Sequence, residues 1–270
     1  MPRTPLAIVD EALTFLRINP SLLLGLAAII VLPLQLLILV LPGSSLRGNR
    51  PDRVVDILIS SLDQPSAVAN AFGNLVFESL SLFAIASVYG QIMASWYSRT
   101  SMTPTQLLSA SLKRSPTILA VWTITHVLIV IGGVFSLGLL VVLIGTFFIV
   151  AAPAMGAEGL GIGDTLKRSR ELSLAKFIHC VVVYVAVGVG SQVMDFSLRL
   201  APTLILGQLN VPVWITEGVF DVVASVIVAS FTAATAVVLY LDLRVRREGI
   251  DLYMALEKNF DPSKVARRRG

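Results

Sequence analysis

The apolar residues of this chain are gathered into runs near twenty residues long. A run of that length, wound as a helix, crosses about 30 Å of hydrocarbon at about 1.5 Å per residue. Only 14% of the residues are charged while 55% are hydrophobic, so little of the chain suits water. These runs predict an all-α fold, a polytopic transmembrane helix bundle forming one integral membrane domain over 1–270. A helix satisfies its own backbone hydrogen bonds in lipid, so each run is expected to be helical.

Six spans are read: 21–41, 72–96, two sharing the stretch 118–150, then 177–198 and 218–241. Gly132, Gly133, Ser136 and Gly138 mark the expected turn within the shared stretch. That stretch is about 33 residues, short for two crossings, and one long tilted helix would give five spans instead. The basic residues favour six. Of the 21 Lys and Arg, only Arg47, Arg50, Arg53 and Arg199 then fall on one side of the membrane. The rest collect before the first span, in the even-numbered loops and in the tail. By the positive-inside rule both termini are expected in the cytoplasm. Five spans would put the basic 167–176 loop and the basic tail on opposite sides.

A short pattern recurs. Residues 4–24 and 103–120 each open with Thr-Pro, continue amphipathically to an Arg, and meet a second proline before an apolar run. Thr4 and Thr103 suit an N-cap, Pro5 and Pro104 the first helical turn, and Gln106 a capping box. Residues 161–178 form a looser copy without the second proline. The expected architecture is therefore three units, 4–97, 103–153 and 161–243. Each is a cytoplasmic interfacial helix followed by a hairpin of spans, and a basic cytoplasmic tail, 244–270, follows the third unit.

Charge within a span is costly, about 2.5–3.5 kcal/mol at a helix centre on insertion scales. Glu78, Asp195, Arg199 and Asp221 lie toward the outer ends of their spans, and Glu217 precedes Asp221 by one turn. They form a candidate polar cluster. Asp195 and Arg199 are spaced to pair on one helical face, a structural role. The functional counterpart is an ion or substrate site or a proton relay.

Other motifs carry less. Gly-Ile-Gly-Asp (161–164) matches the short pattern of intramembrane aspartic proteases, but the basic helix that follows cannot enter lipid. Asp164 is instead expected at a helix N-terminus. No histidine follows Ser191 to act as its base. Ala186 with Gly190, and Ser225 with Ala229 and Ala233, have the small-residue spacing of helix contacts. The lone Cys180 allows no intramolecular disulfide and is expected to pack in an apolar run. No metal or cofactor is expected. The net charge of +4 comes from residues at span ends. It points to anionic lipids at the cytoplasmic face, and not to nucleic acid.

Two stretches resemble a known family. AAPAMGAEGLGIGDTLKRSRELS (151–173) combines Pro-Ala, a Glu-Gly turn and a basic helix with Arg-Ser; YLDLRVRREGIDLYM (240–254) carries an aromatic and Asp before Leu-Arg-x-Arg-x-Glu-Gly. Both are similar to the membrane domain fused to some bacterial glycerophosphodiester phosphodiesterases, which also occurs alone in bacterial membrane proteins. The resemblance implies a bacterial plasma-membrane protein. It implies no catalytic residues, because the hydrolase activity of that family belongs to a separate soluble barrel absent from this chain. The function expected is a non-enzymatic scaffold, assembly factor or accessory subunit, with a membrane protein partner. The alternative is a small transporter or channel using the outer acidic cluster.

Overall fold

The computed structural model describes residues 3–40, 65–136, 138–207 and 219–249. Glu217, the 41–64 segment and the tail from 250 onward lie outside them. The described residues are helical with no strand. In chain order the helices are α1 (Pro5–Ile18), α2 (Pro20–Val40), α3 (Pro65–Tyr97), α4 (Pro104–Lys113) and α5 (Ser115–Phe135). They continue as α6 (Leu139–Phe148), α7 (Ala151–Glu158), α8 (Ile162–Ala175), α9 (Phe177–Gly207) and α10 (Phe220–Glu248). Six apolar stretches are long enough to cross a membrane: α2, α3, α5, α6 with α7, α9 and α10.

The local chemistry follows the sequence. Thr4 accepts from the Ala7 N–H at 3.2 Å, with Pro5 opening α1. Thr103 and Gln106 form the complete capping box of α4. The third short helix lacks a side-chain cap and starts on Gly161, with Asp164 exposed in its first turn. Pro20 opens α2 and Pro116 lies in the first turn of α5.

Two regions differ from expectation. α5 runs to Phe135 and α6 starts at Leu139, with Gly138 just before it at φ 95°. Gly132 and Gly133 lie inside α5 instead. A side chain on Gly132 would collide with Ile144 of α6, so this glycine lets the hairpin close. The fourth span also runs past 150 to Glu158, which gives the hairpin the length it lacked. Between α6 and α7 the helix is broken at Ile149 and Val150. Pro153 is the cause: it has no N–H to offer the Ile149 carbonyl and its ring crowds that carbonyl. Beside the break, Ser169 of α8 donates to the Phe147 carbonyl at 2.8 Å.

The order short helix, span, span recurs three times among the described residues. Burial follows the same rhythm. The buried share is 50% in α3 against 22% in α2, 50% in α6–α7 against 28% in α5, and 61% in α10 against 17% in α9. The second span of each pair thus forms an inner layer and the first an outer one. Alanines 224, 233, 234 and 236 with Ser225, Ser230 and Thr235 give α10 the slender buried surface a central helix needs.

The closest contact lies between α3 and α7. A Cβ on Gly90 would fall within the radius of the Pro153 carbonyl oxygen, and one on Gly156 within that of the Ser87 carbonyl oxygen. Backbone therefore rests on backbone. The expected small-residue contact at Gly190 is looser, because a Cβ there would meet only the Phe231 ring at 3.8 Å.

Candidate functional site

Charged groups collect at the two ends of α10. Asp221 lies in its first turn and Arg244 to Glu248 at its end. Twenty-three residues separate Asp221 from Arg244, about 35 Å of helix. That is close to the roughly 30 Å of hydrocarbon, so an α10 centred across a membrane would carry one group near each boundary.

At the first end, Arg199 gathers carboxylates from three helices. It donates from Nε to Asp195 at 2.7 Å, one turn earlier on α9. It also bonds Asp221 of α10, and its Nη2 lies 3.3 Å from Glu78 of α3. Asp221 is nearly buried at 7% side-chain exposure, while Asp195 is 30% and Glu78 43% exposed. Ser225, one turn below Asp221, accepts from Gln35 of α2 at 3.1 Å. The expected Asp195–Arg199 pair is therefore present but is one arm of a larger arrangement. Four of the five candidate residues come together, and Glu217 lies outside the described residues.

At the other end is a network the charge pattern alone did not single out. Glu158 closes α7 and accepts from the Tyr240 hydroxyl at 2.6 Å and from Arg168 at 2.9 and 3.0 Å. Arg168 also bonds Glu248, which accepts from Arg244 at 2.9 Å. Arg244 in turn donates to the Tyr240 hydroxyl at 3.1 Å. Burial works against the charge on Arg168, but the bonds and charges of Glu158 and Glu248 outweigh it and raise its pKa above the ordinary guanidinium value. Gly159 follows with φ 70°, and the Arg114 guanidinium packs where a side chain would stand. Arg114 donates to the Met155 carbonyl at 3.3 Å.

A second knot lies beside it. Asp242, 2% exposed, accepts from Arg246 at 2.6 Å and from the Arg3 backbone N–H at 3.3 Å. Arg246 donates onward to the Arg3 carbonyl at 2.6 Å. His179 Nε2 lies 3.5 Å from Asp242 without hydrogen-bond geometry. These contacts fasten the chain start and α9 to the end of α10.

No family model, curated protein or solved structure matches this chain. The geometry must therefore be read on its own terms. The two stretches singled out in the sequence, 151–173 and 240–254, meet here through Glu158, Arg168, Tyr240, Arg244 and Glu248. Their signal was the shared pattern of Glu-Gly and Arg-x-Arg-x-Glu-Gly, although charge placement did not reveal that they touch.

The remaining motifs occupy ordinary positions. Ser191 donates to the Gly188 carbonyl at 3.0 Å. His126 stacks on Trp122 at 4.7 Å between ring centres. Cys180 is buried. Among the described residues, no three His, Cys, Asp or Glu are placed to hold a metal ion.

Proposed function

We propose that this protein is a non-enzymatic integral membrane component, a scaffold, assembly factor or accessory subunit of a bacterial envelope system. We place it in the plasma membrane with both termini in the cytoplasm and anionic lipids against its basic face. Family kinship with the stand-alone form of the phosphodiesterase membrane domain is part of the same proposal. The observation that carries it is the backbone-to-backbone seating of Ser87 and Gly90 on Pro153 and Gly156. Helices so seated resist sliding, because neither side has flexible side chains that could yield. The ionic network then fixes the end of α7 to α8 and α10, presenting a rigid basic face to a partner.

A second reading, a small transporter or channel, draws on the three carboxylates around the single Arg199. Their position at the boundary weighs against it, since such sites lie near the midplane.

The test joins two measurements. Cross-linking in native membranes, followed by purification, should recover a membrane protein at fixed stoichiometry. Cysteines replacing Gln35 of α2 and Ser225 of α10, whose side chains meet at 3.1 Å, joined by a short cross-linker, should leave that complex intact. Ion or solute flux in proteoliposomes that the same cross-link abolishes would replace the scaffold reading with the transporter.

A further inference from the structure

We propose that the cleft beside Trp96, between the ends of α2, α3 and α4, binds one anionic phospholipid by its headgroup and upper acyl chain. The inference rests on the membrane reading of α3. Its first support is the way α3 ends. The Thr100 N–H bonds the Ser95 carbonyl at 2.9 Å and the Arg99 N–H bonds the Trp96 carbonyl at 3.2 Å. This pair of bonds defines a Schellman cap, whose left-handed position is ordinarily glycine. Here it is Arg99, with φ 52°, the one non-glycine residue at positive φ among the described residues. The chain holds an arginine where glycine is the unstrained choice.

The surroundings suit that guanidinium to a phosphodiester. Arg99 is exposed and has no ion-pair partner among the described residues. It shares the rim of a cleft of about 420 Å³ with Thr100 and Ser101, while Leu22, Ile92 and Leu107 form its floor. A cationic, hydroxyl-bearing rim over an apolar floor matches a molecule with a phosphate at one end and hydrocarbon at the other. The height also fits. Trp96 and Tyr97 are 40% and 45% exposed at the end of the span, where such rings settle among headgroups.

A neighbouring cleft provides the contrast. On the far side of Trp96 a space of about 280 Å³ carries Arg3 and Glu11 on its wall. Those two are hydrogen-bonded at 2.6 Å, so they cancel and leave no charge for an anion to answer. The uncompensated cation belongs to the Arg99 cleft. A zwitterionic lipid would bring its own ammonium toward Arg99, which makes the anionic lipid the fitting occupant.

The test is Trp96 quenching in vesicles. In a Trp122→Phe, Trp214→Phe background, brominated phosphatidylglycerol should quench at about one-fifth the lipid fraction that brominated phosphatidylcholine needs. Arg99→Gly should remove that preference while leaving thermal stability unchanged or higher, because glycine suits the backbone there. Retention of phosphatidylglycerol through delipidation of the otherwise unaltered protein, lost in Arg99→Gly, gives a second readout free of the tryptophan changes. Equal quenching by the two lipids, or an Arg99→Gly protein that keeps the preference, would overturn the site alone. Competition by millimolar inorganic phosphate would reassign it to a free anion. Quenching by neither lipid would overturn the membrane reading along with it.

Discussion

The Ser87 carbonyl oxygen of α3 occupies the place where a Cβ on Gly156 of α7 would have to stand. Gly156→Ala must therefore push two backbones apart. The expected loss is about 1–3 kcal/mol, the range for overfilling a packed interior. Gly25→Ala is the control, with nothing within 4 Å of its added methyl. It should be neutral or slightly stabilising, since alanine is the better helix former. Thermal unfolding in detergent compares them; equal melting of the two variants would show that α3 and α7 are not seated as described.

Arg199 should matter more than any one of its carboxylates. Arg199→Gln takes from Asp221, at 7% exposure, the guanidinium it bonds, and breaking a buried pair costs about 3–5 kcal/mol. Asp195→Asn leaves Arg199 with Asp221 and Glu78, and Asp195 is itself 30% exposed, so the loss should stay under about 1 kcal/mol. Adding Asp195→Asn to Arg199→Gln should recover part of the loss by removing one stranded charge. Comparable losses from the two single variants would favour an isolated Asp195–Arg199 pair.

The sequence carried the spans because lipid permits few alternatives: long apolar runs must be helices, and basic residues bracket them. It carried the caps at Thr4 and Thr103 because capping is local chemistry. Interhelical contact was less legible. Ala186 and Gly190 have the spacing of a close contact, yet the closest approach uses Ser87, Gly90, Pro153 and Gly156. Small residues permit such contact on any face, and only the packing decides which is used. Glu78, Asp195 and Asp221 were legible because charge is rare inside apolar runs, but Arg199 reaching three helices was not. Glu158, Arg168 and Tyr240 lie among ordinary boundary residues, and their union depends on how α7, α8 and α10 converge.

Tyr240→Phe removes the hydroxyl that donates to Glu158 at 2.6 Å and accepts from Arg244 at 3.1 Å. Hydrogen bonds to charged groups contribute about 1.5–3 kcal/mol each when buried, and here Arg168 still answers Glu158. A net loss of about 1–2 kcal/mol is expected in thermal unfolding. Protection of α7 and α8 amides in hydrogen exchange should fall with it, whereas protection around Asp195 and Asp221 should not. A uniform fall across the bundle would mean that the network does not act locally.

The central claim is that three pairs of spans return the chain to one basic side, and cysteine labelling tests it most directly. Cys180 is buried and is replaced by serine. Single cysteines then stand at Ser109 of α4, Asp164 of α8 and Phe135 beside the α5–α6 turn, all exposed. In intact cells an impermeant maleimide should label only the Phe135→Cys protein. Inside-out vesicles should reverse the pattern, labelling Ser109→Cys and Asp164→Cys. Labelling of all three from the same side would contradict the six-span account.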